Sequence, residues 1–250
     1  MIAALSALHE VAVAQAMQVL LVFLRVGGLM LLLPGLGDRM IPTRVRLVVA
    51  LALSTAIAPA VALPEAPTLG AVLAEGATGL ALGAVLRFLA AALVTAGMMA
   101  AQLTSLAQLF GTVEPSSAIG NLLNLAGLAL LMASGLPLMV VDLLIRSYDV
   151  LPYGGVLPGE DLVKWGVARA AQGFALAFAL AAPFALAALV YNAAMGVINR
   201  AMPQLMVALV GAPAITWASM ALLFLAAPFL LLTWKAAMIA LLADPIGAGL

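Results

Sequence analysis

Residues 170–199 read AAQGFALAFALAAPFALAALVYNAAMGVIN, an unbroken run without a charge. As one straight α-helix it would extend roughly 45 Å at 1.5 Å per residue, against a hydrocarbon core of roughly 30 Å. Four further charge-free intervals, residues 47–64, 88–113, 115–141 and 201–234, approach or exceed the length that spans a bilayer. With residues 11–33 and the segment after Thr68 added, hydropathy predicts about six helices, over 11–33, 44–63, 69–109, 121–146, 165–199 and 204–242. The predicted fold is all-α, a polytopic membrane-derived chain of about six long kinked helices arranged as hairpins. Tilt, kinking or protrusion must absorb the surplus length. Pro183, Pro203, Pro213 and Pro228 fall in the last two runs, and an interior proline removes a helix hydrogen bond and clashes with the preceding turn, so bends are expected there.

Composition agrees over the whole chain. Of 250 residues 66% are hydrophobic and 8% charged, where globular chains have about half and about a quarter. The mean hydropathy of +1.25 means that the excess is not confined to one anchor. An ordinary soluble enzyme is excluded. Ten Lys plus Arg offset ten Asp plus Glu, leaving no net field and no basic stripe to hold nucleic acid. The absence of cysteine removes disulfides, thiolate metal sites, iron–sulfur clusters and cysteine nucleophiles. His9, beside Glu10, has no second histidine to complete H-E-x-x-H and reads as a polar residue at the mouth of the first helix. G-x-S-x-G does not occur. Asp142 and Asp149 are seven apart, but Tyr148 to Pro152 reads as loop, and Asp142 is better paired with Arg146 four residues on. No catalytic residue, metal site or cofactor is assigned. The first positive charge, Arg25, falls inside the first apolar segment, which is therefore expected to be retained rather than cleaved.

Three charges lie within or beside apolar spans: Arg25, Glu75 and Arg87. Each costs roughly 2.5–3.5 kcal/mol on insertion scales and so needs a partner or water. Glu75 and Arg87 are twelve apart, roughly 18 Å along a helix, too far for a direct bond. Their partners are expected on other helices or other chains. Gly79 and Gly83 form a G-x-x-x-G pattern, read as helix packing within one subunit.

Three loops interrupt the apolar runs. The first, residues 33–46, reads LPGLGDRMIPTRVR, with Pro42 expected at a first helical position and Arg39, Arg44 and Arg46 around the helix start. Arginine there opposes the helix dipole, worth roughly 0.3–1 kcal/mol, so a cytoplasmic location, lipid headgroups or a partner's carboxylates must explain it. The second, residues 110–121, reads FGTVEPSSAIGN, in which Pro115, two serines and two glycines argue against a continuous helix. It is either a surface turn or a pore-lining or re-entrant loop. The third, Ser147 to Lys164, reads as solvent-exposed. If six crossings alternate, Arg200 joins the first loop's arginines and Arg146, Lys164, Arg169 and Lys235 fall opposite, so charge does not set the topology. Asp38 to Pro42 faintly echoes Asn199 to Pro203.

At these loops the sequence resembles the FliR family of flagellar type III export gates, SctT in virulence secretion systems. The resemblance rests on Ile41-Pro42-x-Arg44-Val45-x-Leu47 leading into Ala58-Pro59, on residues 110–121 around Glu114-Pro115-x-Ser117, on Leu151-Pro152-x-Gly154-Gly155, and above all on residues 192–211, NAAMGVINRAMPQLMVALVG, followed by Pro213. It implies a single 1–250 export-gate domain: hairpins over 1–109, a plug-like loop over 110–121, and hairpins over 122–250. It implies a structural pore subunit, not an enzyme, in the bacterial inner membrane at the flagellar basal body. One copy is expected to assemble with FliP-like and FliQ-like subunits, beside FlhB and FlhA, to pass unfolded flagellar proteins.

In the family the helices are lifted largely out of the bilayer, which would account for the overlong runs. The plug role is carried onto Phe110, Gly111, Val113, Glu114, Pro115, Ser116, Ser117, Ile119 and Asn121. An assembly or helix-breaking role is carried onto Arg39, Pro42, Arg44, Arg46, Asn199, Arg200, Pro203 and Gln204. Gly135-Leu136-Pro137 stands where relatives often have Gly-His, and the alanine-rich first helix carries no family signal. Membrane lipid is the other expected neighbour. The alternative reading is a stand-alone secondary transporter or permease built on broken helices.

Overall fold

The structure, a computed structural model, describes residues 2–37, 41–61, 68–103, 115–155, 158–202 and 207–247, and the side chains among them except at 2–8, 115–118 and 207–213. Seven α-helices are found there: α1 (Ile2–Leu32), α2 (Thr43–Ile57), α3 (Leu69–Leu103), α4 (Pro115–Ala133), α5 (Leu136–Val150), α6 (Gly159–Ala201) and α7 (Val207–Ala243). No strand occurs among the described residues, in keeping with the all-α expectation. Five helices are long and apolar enough to cross a membrane, or six if Ile119–Ala133 and Leu136–Val150 are one broken span.

The helix ends follow local chemistry. Pro42 is the N-cap of α2 rather than its first helical residue, and its carbonyl accepts from the amides of Val45 and Arg46. Pro59 ends α2 early, turning residues Ala58–Ala60 into a 3-10 turn closed by Val61 N donating to Ala58 O, and Gln18 Nε2 donates to the carbonyls of Ala58 and Val61. Thr68 Oγ1 accepts from Ala71 N at the start of α3. The expected single helix over 121–146 is divided at Gly135, whose φ of 89° is left-handed, with Pro137 in the first turn of α5.

Conversely, Pro183 does not divide α6, nor do Pro213 and Pro228 divide α7. Glu160 and Asp161 in the first turn of α6 and Arg200 in its last complement its dipole. At 43 residues its contour is roughly 65 Å, about twice a hydrocarbon core.

The contacts gather into two units, neither contiguous in sequence: residues 1–87, 135–169 and 240–250 form the first, and 88–134 and 170–239 the second. In the first unit, a methyl on Gly79 would meet the carbonyl oxygen of Arg25, and one on Gly83 would lie 2.8 Å from that of Leu29. The two contacts advance together along both helices, so α1 and α3 run parallel at their crossing. The G-x-x-x-G pattern is thus an intrachain contact, as its reading proposed. Trp165 Nε1 donates to Pro245 O, joining the start of α6 to the residues after α7.

In the second unit, the fully buried Trp234 donates to Leu89 O at 2.8 Å. Gly127 leaves room for its ring: a methyl there would lie 2.9 Å from Trp234 Cζ3. The same unit overturns one expectation. Residues 115–121 are helical, since proline suits a first turn that has no amide partner to lose. Gly120 does not break α4; it lets α4 approach α3, where an added methyl would lie 2.6 Å from Val94 O, with Gly97 facing it across the crossing. Gly120→Ala should therefore lower stability by about 1–3 kcal/mol, while Gly166→Ala, in a helix interior with open space around it, should raise it by about 0.5–1 kcal/mol. Thermal unfolding in detergent followed by circular dichroism checks both signs.

Candidate functional site: a buried arginine–glutamate clamp

Arg25 on α1 and Glu75 on α3 are both fully buried in the first unit. They meet in the fork geometry that suits guanidinium to carboxylate: Nε to Oε2 at 2.8 Å and Nη2 to Oε1 at 2.8 Å. The pairing answers the question that the sequence raised about their partners. The Gly79 contact that brings α3 onto the backbone of Arg25 is one turn from Glu75, so the close crossing and the ion pair are parts of one arrangement.

The rest of the shell comes from α5 and the turn after it. Arg25 Nη1 donates to Ser147 Oγ at 3.0 Å and Nη2 also to Leu151 O at 3.0 Å. Tyr148 donates its hydroxyl to Glu75 Oε2 at 3.1 Å while its ring covers the guanidinium, 3.6 Å from centroid to Cζ. Gly154 N donates to Glu75 Oε1 at 3.0 Å. Gly154 has a φ of 71°, and a methyl there would meet Ala71 Cβ, so glycine is required twice over. Each carboxylate oxygen accepts two hydrogen bonds, and four of the five guanidinium N–H groups donate.

Such a satisfied pair repays its desolvation; a half-removed one does not. Its contacts are made by the chain's own groups, and it acts as a clamp holding α1, α3, α5 and the 151–155 turn together.

This corrects the reading of residues 147–164 as an exposed loop. The helix runs to Val150, Ser147 and Tyr148 are buried, and Leu151-Pro152-x-Gly154-Gly155 serves the ion pair. Ser147, Tyr148, Leu151 and Gly154 were not singled out as partners. The available signal was that two intramembrane charges needed donors and acceptors, and this polar, glycine-bearing segment supplies both. Arg87 lies exposed on α3. Asp142 and Arg146 form the expected pair within α5, at 2.9 Å and well exposed, worth a few tenths of a kcal/mol.

The residues expected to act in plugging and assembly fall on separate helices. Ile119 is buried and Asn121 exposed on α4, and Pro115, Ser116 and Ser117 form its first turn. Arg44 is exposed on α2, while Arg46 Nε donates to Leu36 O at 3.0 Å, pinning the turn before the helix and giving this arginine a use that offsets its poor place in the dipole. Asn199 and Arg200 are exposed at the end of α6. Arg39, Phe110, Gly111, Val113, Glu114, Pro203 and Gln204 lie outside the described residues.

Tyr153 sits beside the clamp, and burial followed by the Glu75 charge pushes its hydroxyl above the usual phenol range. That hydroxyl is the one buried side-chain polar atom, among the described residues, without a hydrogen-bond partner. Tyr153→Phe should therefore be neutral or stabilising. Glu75→Leu or Arg25→Met alone should destabilise by about 3–5 kcal/mol, and the double variant by clearly less than their sum. Denaturant titrations of the four proteins measure that coupling.

The family model for bacterial export proteins, family 1, matches residues 16–241, a range that runs through both units. The flagellar biosynthetic protein FliR of Caulobacter vibrioides is 35% identical over 225 residues, covering 86% of this chain and 90% of its own. FliR of Escherichia coli is 29% identical, with 76% of each chain covered, and FliR of Aquifex aeolicus 28%, with 86% of each. With the family match running over most of its length and a relative of that identity covered nearly end to end, the chain belongs to the FliR family of bacterial export proteins, family 1.

Proposed function

We propose that the chain is a structural pore subunit of the flagellar type III protein export gate. It works in the bacterial inner membrane at the flagellar basal body. One copy assembles with FliP-like and FliQ-like subunits, beside FlhB- and FlhA-like neighbours, and the assembly conducts unfolded flagellar proteins. The observation that carries this reading is the family match over residues 16–241 together with relatives named as flagellar biosynthetic proteins.

The surface chemistry supports it. Only 22% of the apolar window of α7 and 33% of that of α6 are buried within the chain. Phe174, Phe178, Trp217, Phe224 and Phe229 are each more than three-fifths exposed. Outward aromatic faces of this kind belong against lipid or against other apolar helices, and an overlong α6 cannot be matched by lipid along its whole length. The chain does no bond chemistry; it supplies one wall of a closed conduit, and a separate component supplies the energy.

Residues 110–121 are the proposed plug. They block leakage by apolar packing and yield when substrate arrives. Two experiments test the reading. Affinity purification of the tagged chain from its own cells should recover unlike small membrane proteins in fixed ratio; recovery of the chain alone, monodisperse and stable, would favour a permease instead. Deleting residues 111–120 in an assembled gate should raise ion leak across the membrane, and unchanged permeability with assembly intact would remove the plug assignment.

A further inference from the structure

Lys235 stands alone on α7. It is the one charge between Arg200 and Asp244, it is half-buried, and among the described residues it makes no hydrogen bond or ion pair. The second unit offers one acid at most: of the chain's ten Asp and Glu only Glu114 falls within residues 88–134 and 170–239. Glu114 lies outside the described residues, and α4, which follows it, begins roughly 18 Å of helix before Gly127, where the Trp234 ring packs. Asp244, nine residues beyond Lys235 and roughly 13 Å along the axis, accepts from Gly247 N. Both distances exceed the span of one lysine side chain.

The lysine ends an apolar stripe. Phe224, Pro228, Leu231 and Lys235 recur at four, three and four residues, so they share one face of α7. Phe224 is 81% exposed, and with Leu122 and Leu130 of α4 the three apolar residues line an open groove that stops one turn short of Lys235. Once such a surface is covered, a charged amine at its end needs a counter-charge or water.

We propose that a helix of a neighbouring polypeptide lies along this stripe and holds an Asp or Glu carboxylate against Lys235 Nζ. Depth favours a carboxylate over a lipid phosphate. Trp234 donates to Leu89 O, and Leu89 is 14 residues, roughly 21 Å, from the nearer end of α3. α7 runs on without a charge for eight more residues to Ala243. Phosphates are confined to the headgroup layer, but a protein helix can present a carboxylate at any depth. An acyl chain filling the groove would leave the amine unanswered. The pair rests on the export reading insofar as α7 lies against other polypeptides, and it adds the chemistry of that contact.

Carbodiimide condensation tests the pair, because it joins an amine to a carboxylate in contact and gives no product with a phosphodiester. Lys164 is the chain's other lysine, paired with Glu160 at 2.6 Å, so the full-length chain is purified as Lys164→Arg in whatever assembly it forms. After treatment with dicyclohexylcarbodiimide, peptide mapping should place an amide between Lys235 and an Asp or Glu of a co-purified chain. Lys235→Arg should keep that chain and lose the adduct, whereas Lys235→Met should lose the chain, since it strands the partner's carboxylate. An amide to Glu114 or Asp244 overturns the proposal, and so does loss of phosphatidylglycerol from Lys235→Met with every polypeptide retained. Partner chains recovered without the adduct, and kept by Lys235→Met, overturn the pair and leave the export reading standing; a chain that purifies alone overturns both.

Discussion

A guanidinium and a carboxylate with no access to water hold the first unit together. Neither Arg25 nor Glu75 is tolerable alone in an apolar surrounding, and the requirement that every one of their polar atoms be met dictates the rest. α1 and α3 must cross within backbone contact, which the glycines at 79 and 83 permit. The end of α5 must deliver Ser147 and Tyr148, and the turn after it must present Leu151 O and Gly154 N. Helices that share only apolar surface in lipid have little to fix their register, because sliding exchanges one greasy contact for another. An ion pair with six directional contacts has a single register.

The second unit is organised by shape. Gly97 and Gly120 bring α3 and α4 together, Gly127 accommodates the Trp234 ring, and the indole N–H finds Leu89 O. What lies outside is as informative. α7 buries Trp234 on one side and exposes Trp217, Phe224 and Phe229 on others, so it is apolar all round while little of it is covered by its own chain. In water that surface would aggregate. A subunit with neighbours on several sides, lipid among them, is the economical explanation for a helix with no polar face.

Much of this was legible in the sequence, and the parts that were not have a common cause. The charge-free intervals found the long helices because hydropathy integrates over many residues. The G-x-x-x-G pattern and the Asp142–Arg146 pair were readable because both partners lie on one helix or follow a fixed spacing. Residues that owe their role to a neighbour distant in sequence were misread from local propensity: Gly120 as a breaker rather than a crossing point, Ser147 and Tyr148 as loop rather than clamp. The same limit explains why Pro183 and Pro228 did not end their helices while Gly135 did. A proline deletes one hydrogen bond but keeps a helical φ, so the helix can continue past it, whereas a left-handed φ turns the chain itself.

The central claim is that the outward apolar faces of α6 and α7 lie against other polypeptides around a conduit. The most direct measurement places a photo-crosslinking amino acid at Phe174, Phe178, Phe224 and Phe229 in turn, in cells that assemble flagella. The account predicts covalent adducts with FliP-like or FliQ-like chains at some of these positions. Adducts with lipid alone at all four, in cells that still export, would contradict it.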